Sequence, residues 1–133
     1  MTEMLRGPTE LPRNFNAAVH FIDRHIGAGR PDKIAVVDDD GRYSYGDLAV
    51  RVNRAGNALI KLGLAPESRV AMVMSDSIDF LAVFWGAIKA GFVPVPINTL
   101  LTPEHYEYIL DDCRAPILVI SESLYSVVAP VFS

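Results

Sequence analysis

Two uninterrupted apolar runs, Val70-Ala71-Met72-Val73-Met74 and Ile117-Leu118-Val119-Ile120, constrain this chain more than any other feature. A strand that is apolar at every position has no face for water and must be covered on both sides. Around these runs lie segments with helical periodicity, so that after a first hairpin the order reads helix, strand, helix, strand, helix, strand. That alternation predicts crossover connections and a parallel sheet flanked by helices. The fold class expected is therefore α/β: an amino-terminal β-hairpin followed by alternating helices and a mostly parallel sheet. A third strand, Val93 to Ile97, contains Pro94 and Pro96. Neither can donate to a ladder, which places this strand at an edge or leaves it only partly paired.

The remaining elements follow from spacing and capping signals. Residues 1–13 read as a flexible leader, and residues 14–133 as one incomplete unit with no internal linker or repeat. From Asn14 a helix is expected, with Phe15, Val19, Ile22 and Ile26 on one apolar face and Gly27 and Gly29 as its stop. Ile34 to Val37 is a strand, and Asp39-Asp40-Gly41 a hairpin turn in which Gly41 supplies positive φ. Arg42 to Tyr45 returns as its partner. Ser44 and Asp47 have nearly the form of a capping box. They open a helix with Leu48, Val52, Ala55, Leu59 and Leu62 on its inner face, closed by Gly63 as a left-handed cap. Ser75-Asp76-Ser77 is a turn and cap. The helix from Ile78 to Ala90 is apolar nearly all round, which predicts deep burial with Phe84 and Trp85 as core aromatics. Thr102 caps a further helix with Pro103 in its first turn, and Tyr106, Ile109, Leu110 and Cys113 face inward. Ser121 to Val131 begins one more.

Composition excludes several functions. The formal charge of −4 is spread along the chain, and no basic stripe exists to follow a phosphate backbone, which argues against a nucleic-acid partner. Cys113 is the single cysteine, so no internal disulfide and no cysteine-based metal site can form. This fits a cytoplasmic location. The longest apolar-rich stretch, Ile78 to Ile97, is broken by Asp79, Lys89, Gly91 and two prolines, and reads as a buried helix and strand instead of a membrane span. Half the residues are apolar, ample for a core and slightly rich for a small soluble domain. Some of that surface is expected to meet further chain.

No residue pattern here performs chemistry by itself. Gly27-Ala28-Gly29 follows a helix instead of opening one after a strand, so it is a helix stop and not a phosphate loop. His20 and His25 are five apart and do not share a helix face for a metal; His105 beside Glu104 has no ligand spacing either. Cys113 packs as a small apolar residue. Asp38-Asp39-Asp40 lies in a turn, where aspartate is ordinary, and Asp111-Asp112 at a helix end; adjacent aspartates diverge and do not form paired carboxylates. Lys89 is read as a partner of its own helix dipole. No catalytic, cofactor-binding or metal residue is assigned.

The ordered set Tyr43-Ser44-Tyr45-Gly46-Asp47-Leu48, Ile88 through Asn98, and Arg114-Ala115-Pro116-Ile117-Leu118-Val119-Ile120 resembles the amino-terminal part of the adenylate-forming enzymes, the acyl-CoA synthetases and their relatives. A narrower set is similar to benzoate-CoA and other aryl-acid CoA ligases. It comprises Asn14 to Ala18, Phe21 to His25, Ala82 to Gly91 and Val95 to Thr102. The resemblance implies part of the large domain of such an enzyme. Its parent would activate an aromatic carboxylate with Mg-ATP to an acyl-adenylate, and CoA would then displace AMP. Implied partners are the remainder of the ligase chain, the aromatic carboxylate, ATP and CoA. The family's phosphate loop ending in Pro-Lys, its aromatic-Thr-Glu segment, its ribose-binding aspartate and its catalytic lysine have no counterpart in these residues. Some relatives carry a basic residue near the CoA nucleotide where this chain has Leu100, so that role is not transferred. The chain alone is thus expected to be inactive and to hold no cofactor. Two alternatives remain: a free-standing small-ligand or nucleotide-binding α/β module, and a module that self-associates through exposed apolar surface.

Overall fold

A computed structural model describes residues 10–132. Residues 1–9 of the expected leader lie outside the described residues. The architecture is α/β. A two-stranded antiparallel hairpin, β1 (Ile34–Asp38) and β2 (Gly41–Ser44), stands beside a three-stranded parallel sheet in the order β4-β3-β5. Its strands are β3 (Arg69–Val73), β4 (Val93–Pro96) and β5 (Ile117–Ile120). The proline-bearing strand is at an edge, as its missing donors require.

β3 is the axis of the core. Val70, Ala71, Met72 and Val73 are all fully buried. Successive side chains alternate between faces, so Val70, Met72 and Met74 join a cluster with Leu59, Ala87 and Phe92. Ala71 and Val73 join Ile97, Tyr106 and Val128 on the other face. The first face is covered by α3 (Ile78–Lys89) backed by α2 (Tyr45–Lys61), and the second by α4 (Pro103–Cys113) and α5 (Tyr125–Val128). β5 is half-buried along its length and not enclosed as expected, because it is the outer strand of the three.

α2 begins at a complete capping box. The Ser44 hydroxyl accepts from the Asp47 amide (3.1 Å), and the Asp47 carboxylate accepts from the Ser44 amide (2.9 Å). Tyr45 therefore opens the helix instead of ending the strand. Gly63 closes it with φ +73°, and Leu64 packs on the cluster that contains Leu59. Leu48, Val52 and Leu59 are buried as their spacing predicts, but Leu62 is 59% exposed and the buried stripe includes Gly56 instead. The reason lies across the interface. Gly56 meets Gly86 of α3, where a β-carbon on Gly86 would sit 2.9 Å from the Val52 carbonyl oxygen, the Gly56 amide nitrogen and the Ala55 side chain. The two helices cross at backbone contact.

The amino-terminal helix departs from the expected pattern. Asn16, not Asn14, starts it, its side-chain oxygen accepting from the amides of Ala18 (3.0 Å) and Val19 (3.4 Å). A π-helical turn, Val19–Asp23, then runs into α1 (Arg24–Gly27). The wider turn shifts the register, so a spacing read at 3.6 residues does not mark one stripe. Ala18 and Ile22 point inward, while Phe15, Val19 and Ile26 stay exposed.

Three further expectations change. Thr102 makes no side-chain cap bond; its hydroxyl lies 3.3 Å from His105 Nδ1. Ile78, Ala82, Gly86 and Ala87 of α3 are buried, but Phe84 and Trp85 are only half-buried, since α2 and the sheet cover two sides of a helix that is apolar on all. The last segment is a short 3₁₀ turn (Glu122–Leu124), α5 and another 3₁₀ turn (Ala129–Phe132), not a continuous helix. Among the described residues no helix is long and apolar enough to cross a membrane.

The Gly86→Ala substitution tests the crossing. A methyl group forced against backbone should destabilise the chain by about 1–3 kcal/mol, read from the urea midpoint. A loss below about 0.5 kcal/mol would show that the helices separate freely and that the contact is incidental.

Candidate functional site

In open parallel sheets, ligands gather outside the carboxyl ends of strands where successive connections diverge to opposite faces. Here β3 leads into α3 on one face, while β4 and β5 lead into helices on the other. The edge where they diverge is built from Met74-Ser75, Ile97-Asn98 and Ser121. Its backbone is tightly paired. The Ser121 amide donates to the Val73 carbonyl (3.0 Å), and the Ser121 hydroxyl accepts from the Ser75 amide (2.9 Å). The Ile97 amide donates to the Met72 carbonyl (2.8 Å).

The loop after β4 is anchored by Tyr106, whose side chain is fully buried. Its hydroxyl donates to the Asn98 carbonyl (2.9 Å) and accepts from the Leu101 amide (3.3 Å). The Asn98 side chain accepts from the Leu100 amide (2.8 Å), which holds Leu100 out at the tip, 90% exposed. This edge presents hydroxyls and amides. It brings together no nucleophile with a base and no pair of carboxylates, so it can position a ligand but not transfer a proton for it.

The histidines do not converge. His20 packs its ring against Phe15 (5.4 Å) and Phe21 (4.9 Å). His25 stacks on Tyr45 at 3.9 Å, with an Arg30 guanidinium nitrogen 3.3 Å from Nδ1. Burial, then the Arg30, Arg24 and Lys33 charges, hold His25 below the usual histidine range. His105 stands apart beside Thr102. Cys113 is half-buried, its thiol 3.7 Å from the Leu110 carbonyl. Asp111 and Asp112 lie exposed near the end of α4. Among the described residues no three His, Cys, Asp or Glu side chains group to hold a metal ion.

Asp38 and Lys89 do more than the sequence signals. Gly41 does not adopt the expected positive φ. Asp38 sets the turn instead, its Oδ1 accepting from the amides of Asp40 (2.9 Å) and Gly41 (3.0 Å). Its Oδ2 accepts from the Ile78 amide (2.9 Å), the first residue of α3, and so ties the hairpin to that helix. The Ile78 bond is the largest reason that the Asp38 carboxyl titrates below its usual value, with the Asp40 and Gly41 amides adding to it. Lys89 at the end of α3 pairs with Asp23 (2.7 Å) and donates to the Asn53 side chain (2.7 Å), joining three helical segments. Asn16 donates to the Ile88 and Lys89 carbonyls of the same helix end. The one signal for Lys89 was a lone cation on an otherwise apolar helix; nothing local marked Asn16 or the second contact of Asp38.

The model of the AMP-binding enzyme family matches residues 23–131. The benzoate–CoA ligase of Thauera aromatica is 48% identical over 123 residues, which are 92% of this chain and 23% of that protein. The 4-hydroxybenzoate–CoA/benzoate–CoA ligase of Rhodopseudomonas palustris is 45% identical over 116 residues, 87% of this chain and 22% of its own length. The solved benzoate CoA ligase from Burkholderia xenovorans LB400 superposes with a TM-score of 0.84 at 38% identity, over 90% of this chain and 24% of that one. The chain thus spans less than a quarter of the length of each.

Asp38 gives the fold a pH dependence of defined sign. A carboxyl whose pKa falls on folding stabilises the native state fully above its unfolded value, and that contribution is lost progressively as pH falls from the ordinary 3.8 through the lowered folded value. Asp38→Asn should lower stability at neutral pH and flatten the acid limb of a stability–pH curve. An acid limb identical to that of the parent chain would exclude the role.

Proposed function

Because the chain belongs to the AMP-binding enzyme family, we propose that it is the amino-terminal portion of an AMP-forming aryl-acid CoA ligase of the benzoate type. The observation that carries this reading is the high identity, across most of the chain, with two ligases whose names specify benzoate. In such a parent a carboxylate displaces pyrophosphate from ATP to give an acyl-adenylate, and the CoA thiol then displaces AMP. The described residues do not fit Mg-ATP. They group no metal ligands, and the positive-φ glycines, Gly29, Gly63 and Gly91, follow helices instead of opening one toward a phosphate. No step of the reaction is therefore routed through them.

What these residues supply is scaffold. β3 and its flanking helices set the sheet to which further strands add, and Tyr106 fixes the loop at the strand ends. The partner is the remainder of the ligase chain, with residues 14–133 as one subdomain. A cytoplasmic setting is consistent with a single free cysteine. Half-buried Phe84 and exposed Leu100 are surfaces that further chain would cover.

Two experiments test the reading. The isolated chain given Mg-ATP, benzoate and CoA should release no pyrophosphate; appreciable turnover would refute the scaffold role. Residues 14–132 placed in the Thauera ligase in place of its matching segment should retain benzoate activation within about tenfold of the parent enzyme, a difference of about 1.4 kcal/mol. Loss of activity in a chimera that folds would argue for a different parent. Separately, a self-associating module would appear in light scattering of the isolated chain as a defined oligomer, whereas a monomer or undefined aggregates would exclude that alternative.

A further inference from the structure

A hollow of about 440 Å³ lies between α1, the hairpin, α2 and α3, away from the carboxyl ends of the strands. Its floor is Ile22 and Leu48, both buried, and Phe21, Leu81 and Trp85 form its apolar wall. The rings of Phe21 and Trp85 meet at 5.8 Å and 48°, making an aromatic corner. Arg24, His25 and Tyr45 complete the lining, and no carboxylate contributes to it.

The polar side has one sign. The Arg24 guanidinium is 6.0 Å from the Phe21 ring centroid and forms no ion pair among the described residues. Arg30 can only donate, so its 3.3 Å approach to His25 Nδ1 fixes that nitrogen as an acceptor and puts the ring proton on Nε2. His25 thus keeps one N–H to offer. The stack on Tyr45 holds the imidazole in place. An apolar hollow of this size whose lining includes a guanidinium and an imidazole is the form that small-molecule sites take.

We propose that this hollow binds a small aromatic carboxylate, its ring in the Phe21–Trp85 corner and its carboxylate on Arg24 and the His25 N–H. A guanidinium fork matches a carboxylate in two parallel hydrogen bonds. A nucleoside polyphosphate does not suit the hollow, which offers one guanidinium and mostly apolar walls. The proposal does not rest on the ligase reading, since the site shares no residue with the strand ends and needs neither ATP nor CoA.

Trp85 is the only tryptophan, so the emission of the chain comes from the wall of this hollow. Titration of the chain with 3-phenylpropanoate should give a saturable change in that emission with a midpoint in the millimolar range, as expected of a ligand this small. 3-Phenylpropan-1-ol, which has the ring without the charge, and propanoate, which has the charge without the ring, should each bind about tenfold more weakly or less. Arg24→Gln, a change at an exposed side chain, should abolish the preference for acid over alcohol. Phe21→Ala should weaken both ring-bearing ligands. Saturation-transfer NMR between protein and 3-phenylpropanoate supplies a readout that does not depend on Trp85. Absence of saturation by both methods, equal binding of propanoate, or an unchanged acid preference in Arg24→Gln would overturn the site.

Discussion

The contact on which the structure most depends is the meeting of Gly56 and Gly86, because it determines how near α2 can lie to α3. With any side chain at either position the helices would stand further apart, and α2 would lose its place behind the helix that covers β3. Two polar ties reinforce the crossing from its ends. Arg51 of α2 pairs with Asp79 at the start of α3 (3.2 Å), an exposed bond worth little by itself. Lys89 binds Asn53 and Asp23 at the other end, and its pair with Asp23 is the better shielded of the two ion pairs. The third hydrophobic cluster, with Ile22, Leu48, Val52 and Ile78, fills the angle between these helices and the hairpin.

From that frame the rest follows in layers. Asp38 fastens the hairpin to the first amide of α3, so the antiparallel ribbon is positioned by the same helix that covers the sheet. Asn16 fastens the amino-terminal segment to the last carbonyls of α3. One helix of twelve residues is thus gripped at both ends by side chains that arrive from other elements. Its own polar side chains, Asp79 and Lys89, stand only at those ends and make the remaining ties.

How much of this could be read in the sequence depended on whether the deciding interaction was local. The capping box at Ser44 and Asp47 and the stop at Gly63 are made within a few residues, and both are present as their spacing indicates. β3 was legible because a run without any polar position favours a covered strand, whereas the same reading overstated β5, whose place at the outside of the three strands is not written in its own residues. Gly56 and Gly86 were not, since a glycine inside a helix reads locally as a weakness and its use is visible only across the interface. The π-helical turn defeated the reading of residues 15–26 for a related reason: the apolar spacing assumes the regular turn that the chain does not keep. No site residue was named from the sequence, and the hollow around Trp85 explains why. Each of its aromatics had a sufficient account as packing, and only three-dimensional proximity joins the 21–25 segment with Tyr45 and Trp85.

The strand order has a consequence for the chain as it leaves the ribosome. β3 is synthesised first among the three parallel strands, yet it occupies the middle, flanked by β4 on one side and β5 on the other. Until residues 117–120 emerge, the most deeply buried strand among the described residues has one edge with no neighbour, and its second face waits on Tyr106 and Val128. Nascent chains arrested before that point present a sticky, half-zipped ribbon, the kind of segment that holdase chaperones shield. Pairing of both edges of β3 is therefore finished by β5, which is translated well after the strand at the centre.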